Sequence, residues 1–297
     1  MDTDLEQRLA RGMRLIPDLP DLGKNQVSDN MRSVYDDIER TLRVPFVNFI
    51  FRTLANFPDY FKPAWTGLAP LLRRQECERA AARLQAAAAD GVAVTPLAED
   101  TLAAGDRTAV VAFTDAIHYV LPKLLLIATA LDLQATGEFA VNSMPRDDRD
   151  PLIPYGVAEG AGRLALVDPA GAVSHVQALF ADIQACHGHP GVASYYRGLG
   201  HYPEFLAAAW PVVRRQVDSE SYRQRKHSVL ALAESTAGHE LVHRLSQPVA
   251  PAPESVGAIL AVFRYRLIPD LLLDVTRIKA MLDGPQAAAH SRFSAAE

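Results

Sequence analysis

Apolar residues recur along this chain at helical spacing, with no series of alternating segments that would mark strands. Val34, Ile38 and Leu42 form an i, i+4, i+8 stripe; Ser28 or Asn30 stands where it can cap that helix, and Pro45 forbids its continuation. Residues 46–57 are dense enough in aromatic and branched side chains to pass for a strand, but both flanks are helical and the stretch reads as helix. Pro58 suits the first turn of the next helix, where a missing N–H costs nothing, and the Ala, Arg, Gln and Glu run at 73–90 is expected to carry that helix on to Gly91. Residues 108–131 are apolar almost all round, which for a helix means burial on nearly every side, and Pro122 is expected to kink it.

The pattern occurs twice. Residues 34–65 (VYDDIERTLRVPFVNFIFRTLANFPDYFKPAW) align without a gap with residues 179–210 (LFADIQACHGHPGVASYYRGLGHYPEFLAAAW). Nine of the 32 pairs are identical: Asp37/Asp182, Ile38/Ile183, Pro45/Pro190, Val47/Val192, Arg52/Arg197, Leu54/Leu199, Pro58/Pro203, Ala64/Ala209 and Trp65/Trp210. Ordinary composition gives roughly two by chance. Residues 108–131 likewise recur as 255–278, with Pro122 opposite Pro269 and Thr129 opposite Thr276. The expected fold is therefore all-α, an internal duplication of a unit of about four helices packed as a pseudo-twofold dimer. The expected divisions are an N-terminal arm at 1–27, broken by Pro17, Pro20 and Gly23, helical repeat 1 at 28–133, and a linker at 134–172 that wraps the surface. Helical repeat 2 follows at 173–283, then a frayed tail at 284–297. A ligand would lie in the seam where paired positions differ: Phe46/Gly191, Phe49/Ser194, Ile50/Tyr195, Asn56/His201, His118/Tyr265 and Lys123/Asp270. Ordinary drift of a duplicated core explains such differences equally well.

Composition narrows the partners. With 297 residues, 49% apolar and 22% charged, the chain can bury a large core. A net charge of -5 and a pI near 6.0, with Lys and Arg scattered, give no electrostatic ground for a nucleic acid or an anionic membrane as partner. The start is charged and lacks an apolar signal region, and the longest apolar run, 124–133, is too short to span a bilayer, so the expected location is cytoplasmic. Cys77 and Cys186 are not in a CxxC and read as idle thiols, which leaves neither a disulfide framework nor a redox pair.

Several motifs invite competing readings. HELVH at 239–243 matches the zinc helix HExxH, yet Arg244 follows and no third ligand stands at a familiar spacing. Cys186, His187 and His189 form a CHGH cluster that is either a metal site or a turn with solvent-facing histidines. Arg52 and Arg197 can grip a substrate carboxylate, or play a symmetric structural part such as pairing with Asp37 and Asp182. Lys123 and Asp270 read as an ion pair across the pseudo-axis. The Arg and Glu run at 73–83 is a solvated helix face.

The segments YDDIERTLRVPFVNFIFRTLANFPDY, HPGVASYYRGLGHYP and YVLPKLLLIATAL resemble the group I 2-haloacid dehalogenases, all-helical enzymes that act on both enantiomers of 2-haloalkanoic acids. The resemblance covers most of both repeats. It implies a site between the halves of a duplicated unit, and hydrolysis that inverts C2 by direct water attack without an ester intermediate. It places aromatic walls at Phe46 and Phe49, a polar contact at Ser194, and the water-activating aspartate immediately after that serine. Arg52 and Tyr119 complete the expected substrate contacts. Here the aspartate position is Tyr195, whose phenol, with a reference pKa near 10, cannot stand in as a carboxylate base. The resemblance also puts His118 where the family carries an asparagine. His118 and Tyr195 are thus the expected catalytic pair if they meet across the seam, the imidazole as base and the phenol orienting water. The expected function is hydrolysis of a small carboxylic acid with no cofactor and no metal, and a homodimer is left open. The alternatives are a repurposed or non-catalytic ligand-binding homologue and, further off, a metal-dependent hydrolase.

Overall fold

A computed structural model of the chain describes residues 3–137, 150–241 and 252–295. Among these residues the only strand-like pairing is a single bridge between Arg74 and Leu152. The helices in order are α1 Thr3–Leu15, α2 Asp29–Leu42, α3 Phe49–Leu54, α4 Pro58–Leu72, α5 Gln75–Ala89, α6 Ala104–Thr136, α7 Ser174–His187, α8 Ser194–Leu199, α9 Pro203–Arg214, α10 Glu220–Glu240, α11 Glu254–Val262 and α12 Ile268–Asp283. Four consecutive starts, at Asp29, Phe49, Pro58 and Gln75, recur 145 residues later at Ser174, Ser194, Pro203 and Glu220.

Local chemistry explains these elements. Ser28 is the cap of α2, its side chain accepting from Met31 N, and Ser219 caps α10 in the same way through Tyr222 N. α2 closes on Arg43 at φ 62° and α7 on Gly188 at φ 59°, the same left-handed position in the two copies; the arginine tolerates it while donating to Phe293 O at 3.0 Å. Trp65 Nε1 donates to Asp37 at 2.7 Å and Trp210 Nε1 to Asp182 at 2.6 Å, so α2 is tied to α4, and α7 to α9, by equivalent bonds. α6 is the central post, packed on α5, α10, α11 and α12. It is long and apolar enough to cross a bilayer, but 89% of its apolar window is buried inside the protein.

The structure corrects several expectations. The arm is not featureless: α1 lies against α11, where Gly12 is buried and Arg8 donates to Gly257 O at 3.1 Å. The helix expected to run from Pro58 through the 73–90 segment breaks at Arg73–Arg74. There residues 150–153 enter and take over backbone bonding, Gln75 N to Pro151 O at 2.9 Å and Ile153 N to Arg73 O at 2.8 Å. Pro122 lies inside a continuous α6, whereas Pro269 follows a π-wound turn, Phe263–Leu267, that joins α11 to α12. Tyr265, the residue whose carbonyl a proline at 269 leaves without its usual donor, sits in that turn. The linker's first residues belong to α6, and its described part is a strap bonded to both halves through Gly156 N to Arg40 O (3.0 Å) and Val167 N to Arg197 O (3.1 Å). The tail is not frayed: Phe293 is buried with its ring edge-on to Tyr119, and Arg292 reaches Asp115 at 2.9 Å.

Candidate functional site

A cavity of about 760 Å³ opens where the two short helices approach each other. Pro45–Ile50, at the start of α3, and His189–Tyr195, at the start of α8, form facing walls. One face of α6, at Phe113, Ile117, Leu121 and Leu124, forms the floor with Phe263, Leu267, Ile268 and Leu271. Ile16, Pro17 and Leu19 of the arm and residues 163–166 of the strap complete it. The lining is largely apolar, with Arg52, Arg163, Arg197, Lys24, Glu39, Asn48, Ser194 and His189 as its polar points.

Phe46, Phe49, Arg52, Ser194 and Tyr195 all line this cavity. Phe46 packs edge-on to Phe113, which stacks on Tyr195 with ring centroids 5.6 Å apart. Arg52 reaches across from the first copy to the second, donating from Nη2 to Ser194 Oγ at 3.2 Å, while Nη1 holds Val47 O at 2.6 Å and Nε holds Asp21 at 2.5 Å. Arg197 lies 3.9 Å from the same Asp21 and donates to Val167 O at 3.0 Å. The suggested pairing of these arginines with Asp37 and Asp182 does not occur, because both aspartates accept from the tryptophans instead.

The expected catalytic pair is not assembled. His118 is one position past the cavity-facing Ile117, so the helical turn aims it at α5, where Gln85 Nε2 lies 3.4 Å from its Nδ1. Complete burial, helped by the Lys279 charge, pushes its pKa down to about 3, so it is a neutral core group. Tyr119 also faces away: its ring meets Phe293 and its hydroxyl accepts from Lys123 Nζ at 2.6 Å, so it does not touch the cavity. The Tyr195 hydroxyl lies 3.0 Å from Thr114 Oγ1, and burial pushes its pKa up, so the phenol stays protonated and cannot act as base. Lys123 does not meet Asp270; it pairs with Glu78 at 2.6 Å, both side chains buried.

Asp270 belongs to a cluster that the sequence left scattered. His189 Nε2 lies 3.1 Å from Asp270 Oδ2, His187 Nε2 lies 2.8 Å from Asp274 Oδ2, and the two imidazoles stack with centroids 4.9 Å apart. The histidines expected to face solvent in the CHGH turn are therefore buried, because the turn folds onto α12 and finds carboxylates there. Cys186 lies alongside, half-buried and free. The ligand atoms of His187, His189 and Asp270 fall within 4.8 Å of one another, the one grouping among the described residues that suits a metal ion. Lys226 Nζ already stands 2.6 Å from Asp270 Oδ1, however, so the carboxylate has its counter-charge without an ion. The HELVH motif, apart from Leu241, lies outside the residues whose side chains are described. No periodicity could have found this cluster, since His189 and Asp270 are 81 residues apart and join only through the fold.

Known proteins share this arrangement. Residues 45–195, which span both facing walls, match the family described as halocarboxylic acid dehydrogenase DehI. A configuration-inverting 2-haloacid dehalogenase of Alcaligenes xylosoxydans xylosoxydans is 31% identical over 92% of this chain and 97% of that protein. One of Pseudomonas sp. (strain 113), of the same description, is 27% identical over 94% and 96%. The complex structure of D-2-haloacid dehalogenase with L-LA superposes with a TM-score of 0.79 over 89% of this chain and 96% of that one, at 18% identity, which speaks to the fold. Likeness at this level, over nearly the whole length and including the cavity walls, makes the chain a member of the halocarboxylic acid dehydrogenase DehI family.

Proposed function

We propose that the chain is a hydrolase of small 2-haloacids that acts without cofactor or metal, by direct attack of water at C2 with inversion, on either enantiomer. The observation that carries this reading is the apolar cavity between α3 and α8 with Arg52 bridging its two walls to Ser194. Phe46 and Phe49 enclose the carbon skeleton and halogen, while Arg52 and Ser194 offer donors to the carboxylate. Such a site excludes bulk water and presents C2 to a single ordered water. The duplication reading is supported by the helix starts 145 residues apart and by the paired Trp–Asp bonds. It explains why the site lies between two similar walls. Tyr195 stands in place of the aspartate that the family resemblance leads one to expect.

The test is halide release from each enantiomer of 2-chloropropionate in the presence of chelator, followed by a single turnover in heavy-oxygen water. The expected outcome is inverted 2-hydroxypropionate carrying the solvent oxygen, with an unlabelled protein. Label in the protein, retention, or abolition by chelator would overturn the mechanism. The second reading, a repurposed binding homologue, is favoured by the fully buried, protonated Tyr195. Its mark is a ligand-induced rise in melting temperature without turnover.

A further inference from the structure

Water attacking C2 must give up a proton, and this inference rests on the hydrolytic reading above. The ionisable side chains on the cavity wall leave few recipients. Lys24, Arg52, Arg163 and Arg197 are cations, and Tyr195 is a protonated phenol. Glu39 is held 2.6 Å from the Lys24 ammonium, which stabilises its charged form and makes it a poor base. His189 remains, and it faces both the cavity and the carboxylate cluster on α12.

We propose that His189 is the general base of this enzyme, positioned by Asp270, in place of the aspartate that Tyr195 supplants. Its neighbours suit that task. Tyr222 (3.1 Å) and Lys226 (2.6 Å), both from α10, grip Asp270 Oδ1 and leave Oδ2 to receive the His189 Nε2–H. Burial opposes the charge of Asp270, yet His189 and Lys226 bring its carboxyl down to about 2, so it is ionised at working pH. Burial also opposes charge on His187, but the Asp274 carboxylate beside it, which accepts from Tyr196 at 2.7 Å, carries that imidazole above its usual range. With Lys226 and His187 balancing the two aspartates, burial keeps His189 below its ordinary pKa, neutral and able to accept a proton. His187 is not the base, because it lines only a slim crevice behind the cavity.

The step balances. Asp270 takes the Nε2–H bond, so the tautomer presents Nδ1; one proton passes from water to Nδ1 as the water oxygen bonds to C2. The carbon–halogen bond breaks, and its electron pair leaves with the halide. Asp270 stabilises the imidazolium that forms, and the proton then returns to solvent.

The experiment compares the wild-type chain with His189→Gln and Asp270→Asn. The measurements are halide release from both 2-chloropropionate enantiomers as a function of pH, with melting temperature as a check on folding. The expected result is a kcat loss of ~10²–10⁴-fold for His189→Gln. The wild-type pH profile should rise through a limb below the ordinary histidine range and stay flat above it. In Asp270→Asn that limb should move to lower pH, since an anion that favours imidazolium has gone, and a merely structural role would not move it. If His189→Gln does not fold, the Asp270→Asn limb decides. Halide release that His189→Gln leaves unchanged, or a limb that Asp270→Asn leaves in place, overturns the base and spares the hydrolytic reading. No release by the wild-type chain overturns both.

Discussion

His118 sits at zero exposure against Gln85 and beside Lys279, and its environment, more than its residue type, fixes its chemistry. Its folded pKa is about 3, against 6.5 for the free side chain, so between those values the unfolded chain binds a proton that the native chain refuses. Its contribution to stability is therefore whole above pH 6.5 and is lost as pH falls toward 3. Replacing His118 with Gln should flatten the loss of stability between pH 6.5 and 4, read as the urea midpoint across a pH series; equal slopes would refute this. At this scale the sequence reached Phe46, Phe49, Arg52 and Ser194, because a mismatch between aligned copies marks positions near a seam. It missed on His118 and Tyr119, because which face of α6 meets the cavity depends on the helix's rotation in the bundle, and an all-apolar helix carries no stripe to report it.

Among the elements, α1 shows what close approach demands. A Cβ on Gly12 would overlap Ala258 O and the Val262 side chain, so α1 can lie on α11 only because residue 12 lacks a side chain. Gly12→Ala should raise intrinsic helix propensity yet destabilise the protein by about 1–3 kcal/mol through overpacking. The measurable signs are a lower melting temperature and faster proteolysis within the first 27 residues, and an unchanged or higher melting temperature would refute the contact's importance. Leu5, Leu9 and Met13 carry a four-residue period, so α1 was legible in principle; Pro17, Pro20 and Gly23 drew attention to the break that follows it. The break at Arg73–Arg74 was not legible. It exists because residues 150–153 compete for that backbone, and no local propensity records a partner so distant in sequence.

For the whole molecule, one hydrophobic core runs from Ile16 to Phe293 and includes Trp65 and Trp210, with α6 and α12 packed on each other at its centre. Cutting between the copies would expose α6, buried along most of its length, so residues 28–137 expressed alone should not fold. The intact chain should unfold in one transition, with Trp65→Phe and Trp210→Phe giving coincident fluorescence curves. Two separated transitions would show independent halves. The amino-acid pattern by itself determined that the chain is helical, where most helices begin, and which stretches resemble each other, since these follow from apolar period, caps and prolines acting over a few residues. Only the tertiary structure decided which side chains meet: Arg52 with Ser194, Lys123 with Glu78, His189 with Asp270. Those pairings depend on how each helix is rotated and crossed against the others, which is set by packing summed over the core.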